Sequence, residues 1–145
     1  MDTNISSAKI VQDLLHIHND RIKIYSQALQ SSKGMDLDIR SILERIIEES
    51  TKFRQQLNGK ILEEVKDDGQ IYKAWAGVKA KPLGVTGVSR KKILENCIND
   101  ELAVLNAYSM ALSSAKGNDV KEFLTDQQQH LRQLHAHISK YHDAQ

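Results

Sequence analysis

The sequence predicts an all-α fold, an antiparallel four-helix bundle made of two helical hairpins joined by a crossover that contains a short helix. Three observations predict it. Breaker residues are few, with one Pro in 145 residues and the glycines gathered mainly at three places. Between those places apolar residues recur every three or four positions, the spacing that keeps one helical face turned inward. Each apolar stripe is also interrupted by a polar residue near the middle of its helix.

The breakers place the elements. Gly34 marks one turn and Gly117-Asn118-Asp119 another, while the segment from about 66 to 88 holds Gly69, Gly77, Pro82, Gly84 and Gly87. Helices are therefore expected over residues 4–32, 36–66, 88–115 and 119–142. Short links at Gly34 and Gly117 force antiparallel hairpins. In the crossover, Tyr72, Ala74, Trp75 and Val78 suit a short amphipathic helix lying across the bundle, with Trp75 as packing. The first stripe reads Val11, Leu15, His18, Ile22, Tyr25, Leu29. The second reads Ile39, Ile42, Ile46, Glu49, Phe53, Leu57, continued by Ile61 and Val65. The third reads Leu94, Cys97, Glu101, Val104, Tyr108, Ala111, Ala115. The fourth reads Val120, Leu124, Gln127, Leu131, Leu134, Ile138, Tyr141, with His130 and His135 on its flanks.

Composition limits the function classes. A chain of this length, 40% hydrophobic and 27% charged, fits one domain spanning residues 1–145. Twenty Lys plus Arg against nineteen Asp plus Glu leave a net charge of +1, which provides no field to gather nucleic acid or an anionic membrane. Cys97 is the single cysteine and cannot form an internal disulfide, and Met1-Asp2-Thr3-Asn4 lacks the basic and apolar regions of a signal peptide. No apolar run approaches the roughly 18 residues that span a bilayer. A soluble, cytoplasmic protein is expected, and a homodimer is compatible with all of this.

The polar interruptions are the most informative feature. His18 and Glu49 are nearly equidistant from Gly34, so at about 1.5 Å rise per residue they share one level of the first hairpin. Glu101 matches His130 to His135 similarly around Gly117. All should meet near mid-bundle. An inward carboxylate in an apolar core is costly unless hydrogen-bonded, ion-paired, protonated or metal-bound. Two readings follow. His18, Glu49, Glu101, His130 and His135 supply enough mixed ligands for one zinc or iron ion. Alternatively they form a hydrogen-bonded layer that fixes helix register, which is favoured because inward polar residues in bundles are often structural. No Ser/His/Asp set or Gly-rich phosphate loop is present, so no catalytic or cofactor-binding residues are assigned.

Other polar residues carry less. His16 with His18, and His135 with His137, are two apart and so face nearly opposite sides of a helix, where neither pair chelates. Asn19 and Asp20 lie off the first stripe, where a solvated face is expected rather than a reach to the crossover. Arg90-Lys91-Lys92 opens the third helix with charge that opposes its dipole, and reads as a solvated run. Cys97, on the core stripe, reads as an inert packed thiol.

Three segments stand out together: His18-Asn19-Asp20-Arg21-Ile22, then Gly69-Gln70-Ile71-Tyr72-Lys73-Ala74-Trp75 with Val78-Lys79-Ala80, then Ser89-Arg90-Lys91-Lys92-Ile93-Leu94 leading to Cys97, Glu101 and Ala107-Tyr108. In combination they resemble an uncharacterised bacterial family of ferritin-like domains with suspected stress-associated roles. The ending from His135 through His142-Asp143-Ala144-Gln145 is similar too. The resemblance covers nearly the whole chain, implies the hairpin, crossover, hairpin topology, and brings no established activity.

The chain departs from what ferritin-like di-iron chemistry needs, a Glu from each of two helices and a Glu-x-x-His pair from each of the other two. No Glu-x-x-His occurs. The nearest run is Gln127-Gln128-Gln129-His130, and Glu49 is followed three residues later by Lys52. The family pattern also implies acids at the Ile98 and His130 positions. The reading is a non-enzymatic binding or structural protein; the alternative is an iron- or zinc-binding protein, or a degenerate di-iron oxidase, using the midplane cluster.

Overall fold

In a computed structural model, residues 7–31, 36–61, 67–78 and 89–145 are described, and among them every regular element is a helix. In chain order these are α1 (Ser7–Ser31), α2 (Leu37–Asn58), α3 (Gln70–Val78), α4 (Arg90–Ser114) and α5 (Asn118–Asp143). The packing is chiefly α1 on α2 and α4 on α5, with α3 lying on α4 and α1, and smaller contacts joining α1 to α4 and α2 to α5. No described helix is long and apolar enough to cross a membrane.

Local chemistry explains most boundaries. Ser89 caps α4, its Oγ accepting the Lys92 N–H at 3.2 Å. Gly117 precedes α5 with φ of +93°, a left-handed backbone that glycine adopts without a Cβ penalty. The second helix is shorter than its expected 36–66. Asn58-Gly59 ends it, with the Gly59 N–H bonding back to the Gln55 carbonyl at 3.2 Å and the Lys60 N–H to the Leu57 carbonyl at 2.9 Å. Ile61 therefore lies beyond α2. Val65, the Gly34 turn, Pro82, Gly84, Gly87 and residues 4–6, 32 and 88 of the expected helices lie outside the described residues.

The crossover helix forms where Tyr72, Ala74 and Trp75 suggest it, and its start is held by another element. Asp13 of α1 is buried, and its carboxylate accepts the N–H groups of Gly69 (2.8 Å) and Tyr72 (3.3 Å). That cap satisfies two free donors and sets negative charge at the positive end of α3. A Cβ at position 69 would lie 2.4 Å from the Asp13 carboxylate, so a larger residue there would push the capping side chain aside. Asp13→Ala is expected to cost about 1–2 kcal/mol in denaturant unfolding. A loss indistinguishable from zero would show that α3 needs no cap.

Two expectations about surface residues change. Asp20 does reach the crossover, accepting the Tyr72 hydroxyl at 2.5 Å, and Asn19 accepts Arg54 Nη1 of α2 at 3.1 Å. Arg90 is not merely solvated. It donates to Asp36 (2.6 Å), to both Asp38 oxygens (2.9 and 2.6 Å) and to Gln145 (3.0 Å), while Tyr141 also donates to Asp38. The cluster ties the starts of α2 and α4 to the end of α5.

The core consists of two apolar clusters. One gathers Ile10, Leu14, Ile17, Phe53, Trp75, Val104 and Tyr108 with their neighbours. The other gathers Tyr25, Ile39, Ile46, Leu94, Cys97 and Ile138. Trp75 is 1% exposed, as packing requires. All seven residues of the third predicted stripe are buried. On α1 the stripe is rotated. Leu15, Ile22 and Leu29 are only half-buried, while Ile10, Leu14, Ile17, Arg21 and Ala28 are inside.

Candidate functional site

Between the two apolar clusters lies a layer of polar side chains. On α1 the clusters are separated by His18 and Arg21, on α2 by Glu49 and Ser50, and on α4 by Asp100 and Glu101. From α5, Gln127 joins about a turn to one side. Each position follows from helical spacing, since Ile17 and Tyr25, Ile46 and Phe53, and Cys97 and Val104 bracket these residues on the same inward faces.

Arg21 is the centre of the layer and is wholly buried. Its Nε donates to Asp100 Oδ2 at 3.1 Å, Nη2 to Glu101 Oε1 at 2.7 Å, and Nη1 to Ser50 Oγ at 2.9 Å. The Tyr25 hydroxyl donates to the same Asp100 oxygen at 2.8 Å. Burial alone would lower the guanidinium, but the Glu101 and Asp100 carboxylates reverse this and hold it above its ordinary value. For Glu101, burial dominates and Asp100 and Glu49 add to it, so that despite Arg21 its carboxyl is raised from 4.5 to about 7.

A second set of bonds runs outward from Ser50. His18 Nδ1 lies 3.1 Å from Ser50 Oγ, and His18 Nε2 lies 2.9 Å from the Tyr108 hydroxyl. Tyr108 donates to Gln127 Oε1 at 2.6 Å, and Gln127 Nε2 donates to Gln56 Oε1 at 3.0 Å. These partners determine the protons. Because the Tyr108 hydrogen goes to Gln127, its oxygen accepts from His18, so the imidazole carries its proton on Nε2. His18 Nδ1 then accepts from Ser50, whose oxygen accepts from Arg21. The relay runs one way, Arg21 to Ser50 to His18 to Tyr108 to Gln127 to Gln56. Burial, with Arg21 and Arg54 nearby, keeps His18 well below its ordinary range and hence neutral.

The residues nominated from sequence are not all brought together. His18 and Glu101 are at the centre. Glu49 is half-buried at the edge, lining a cleft of about 220 Å³ with Arg45, Glu48, Lys52, Phe53 and His130. Burial, opposed chiefly by Arg21, raises its carboxyl. His130 is exposed, with Nδ1 on the Asp126 carbonyl one turn earlier at 2.9 Å. His135 is half-buried, lowered by burial, and its Nε2 makes no hydrogen bond. Among the described residues no three His, Cys, Asp or Glu side chains are grouped to hold a metal ion. Cys97 is buried, and burial raises its thiol far above the ordinary range, as for an inert packed thiol.

Sequence reasoning missed Arg21, Ser50 and Asp100. A usable signal existed. His18, Arg21 and Tyr25 are spaced by three and four, which makes them one face of α1, and Asp100-Glu101 is the one acidic pair at the matching depth of α4. One buried guanidinium faces two buried carboxylates, so the layer balances when Glu101 holds a proton; it can fix register, and the three hydrogen bonds of Arg21 are already committed. Comparison of the chain with protein-family models, with curated proteins and with solved structures finds no match.

Proposed function

We propose that the chain is a non-enzymatic four-helix bundle of ferritin-like architecture, working through its surface in the stress-associated setting that its family resemblance implies, and that its midplane layer is structural. One observation carries the reading: the Arg21 guanidinium sits among the carboxylates where a ferritin-like protein would place metal. Asp100 and Glu101 each accept from it, both His18 ring nitrogens are engaged, and an amide, Gln127, replaces an acid. These residues do not fit a di-iron centre, which needs about four carboxylates turned to the metal.

A metal-binding alternative using Glu49 and Glu101 has one observation in its favour. Glu49 Oε1 and Glu101 Oε2 are both buried without a hydrogen-bond partner. Elemental analysis of protein purified without a His tag separates the readings. The structural reading expects no stoichiometric metal, and stability in Glu101→Gln equal to or above wild type at alkaline pH. Stoichiometric iron or zinc that is lost in both Glu49→Gln and Glu101→Gln would overturn it.

The pH dependence gives a further check with a definite sign. Between its ordinary value of 4.5 and its folded value of about 7, Glu101 holds a proton in the folded chain that the unfolded chain has released. Stability therefore falls as pH rises through this window, and the full cost of ionised Glu101 is present above it. Neutral His18 acts oppositely, costing stability as pH falls below its ordinary 6.5. The difference between wild type and Glu101→Gln isolates the first effect. In urea melts, the variant is expected to gain on wild type from pH 5 to pH 8 by about 1–3 kcal/mol, the scale of one to two pKa units. Parallel curves would refute the assignment.

A further inference from the structure

The outward face of α4 differs from that of the other long helices. Its exposed positions between Ile93 and Ser114 are Asn99, Leu102, Asn106, Ser109, Met110 and Ser113. None is charged, although 27% of the chain is, and no charge occurs anywhere from Leu102 to Ala115. By contrast α2 exposes Glu44, Arg45, Glu48 and Lys52. Ser109 is engaged by Gln128 of α5. The other five fall within about 40° of Asn106 around the helix, at 3.6 residues per turn. Their order is the same read from either end, with steps of three, four, four and three residues about Asn106. Asn99 mirrors Ser113, Leu102 mirrors Met110, and Asn106 mirrors itself.

We propose that this face is where a second copy of the chain docks, α4 against α4 and antiparallel, about a two-fold axis passing beside Asn106. A two-fold contact joins one patch to itself, so the patch must be complementary to its own reverse. Here Leu102 of one copy meets Met110 of the other, uncharged polar residues meet at both ends, and the two Asn106 amides each donate and accept. A lone amide in an apolar seam is also a device that fixes register. The absence of charge points to the same occupant, because a charged face would repel its own copy, whereas a charged partner would find nothing to pair with. Leu102 is 45% and Met110 37% exposed, which leaves apolar surface to bury. The stripe covers about 21 Å of helix and, at a helix width of about 10 Å, roughly 200 Å² of surface, well below the roughly 800 Å² per partner of a standard-size stable interface. A reversible, concentration-dependent dimer follows.

The inference rests on the proposed reading only in taking a surface as the working part. Sedimentation of the untagged full chain tests it. A monomer–dimer equilibrium is expected, abolished by Leu102→Glu with an unchanged melting temperature, since Leu102 is outside the core. Cysteine cross-linking tests the axis. Asn106→Cys should form an interchain disulfide on mild oxidation. Leu102→Cys alone should not, because its two copies lie about 12 Å apart, beyond the roughly 7 Å that a disulfide spans; mixed with Met110→Cys chains it should. Cys97 is buried and gives no background. A monomer at every concentration, a dimer indifferent to Leu102→Glu, or a dimer in which Asn106→Cys fails to cross-link would each overturn the proposal. Metal content reports separately. A dimer containing stoichiometric metal would refute the structural reading alone, and a metal-free monomer would refute this inference alone.

Discussion

Arg21→Met is expected to destabilise the fold by about 3–5 kcal/mol, the cost of leaving buried carboxylates without their cation. The variant removes three hydrogen bonds and leaves Asp100 and Glu101 facing each other in a layer that water does not reach. Loss of packing contributes little, because methionine keeps most of the aliphatic stem. The charge origin of the loss has its own signature. Adding Asp100→Asn and Glu101→Gln to Arg21→Met should recover a large part of the stability, since a neutral amide costs less to bury than a carboxylate. Urea unfolding of the single and triple variants measures both effects. A single-variant loss under about 1 kcal/mol, the scale of a surface ion pair, or a triple variant no better than the single, would show that the triad is not what the layer depends on.

Trp75→Ala should cost a comparable amount, about 3–5 kcal/mol for a large aromatic removed from a core. A helix the length of α3, nine residues, is too short to persist in water unaided. Its attachment is Trp75 and Ile71, both buried against the α1–α4 side of the core, together with the Asp13 cap. With the indole gone, the cap and Ile71 alone must hold the crossover down. The loss should therefore be larger than that of Asp13→Ala, and amide exchange should rise across 70–78 before it rises in α4. Equal protection in variant and wild type would mean that α3 is held by something other than its aromatic anchor.

What the sequence made legible divides along physical lines. The α4 stripe from Leu94 to Ala115 was readable residue by residue, because the chain there carries few charges and periodicity is unopposed. Trp75 and the crossover helix were readable for the same reason. Arg21 was not. Polarity rules turn arginine outward, and the partners that make its burial tolerable, Asp100 and Glu101, lie some eighty residues away on another helix. The expected α1 stripe is right at Val11, His18 and Tyr25, which are buried, but it takes Ile22 where Arg21 is the residue turned inside. Glu49 and Ser50 show the same limit on a smaller scale. Neighbours on a helix differ by about 100°, and the smaller hydroxyl holds the centre while the carboxylate stays at the rim. His130 was drawn in by its residue type, although its nearest acceptor is its own backbone. The end of α2 was a missed punctuation mark, Asn58-Gly59, rather than an obscure signal.

The two arginine clusters answer differently to the medium. Arg21 and its carboxylates are shut away, where dissolved ions do not weaken their attraction. Arg90 and its carboxylates are over a third exposed and within reach of the ionic atmosphere. Rising salt therefore slackens the latch where α2, α4 and α5 meet while the midplane triad is untouched. The molecule frays from one known end in brine and stays locked at the waist.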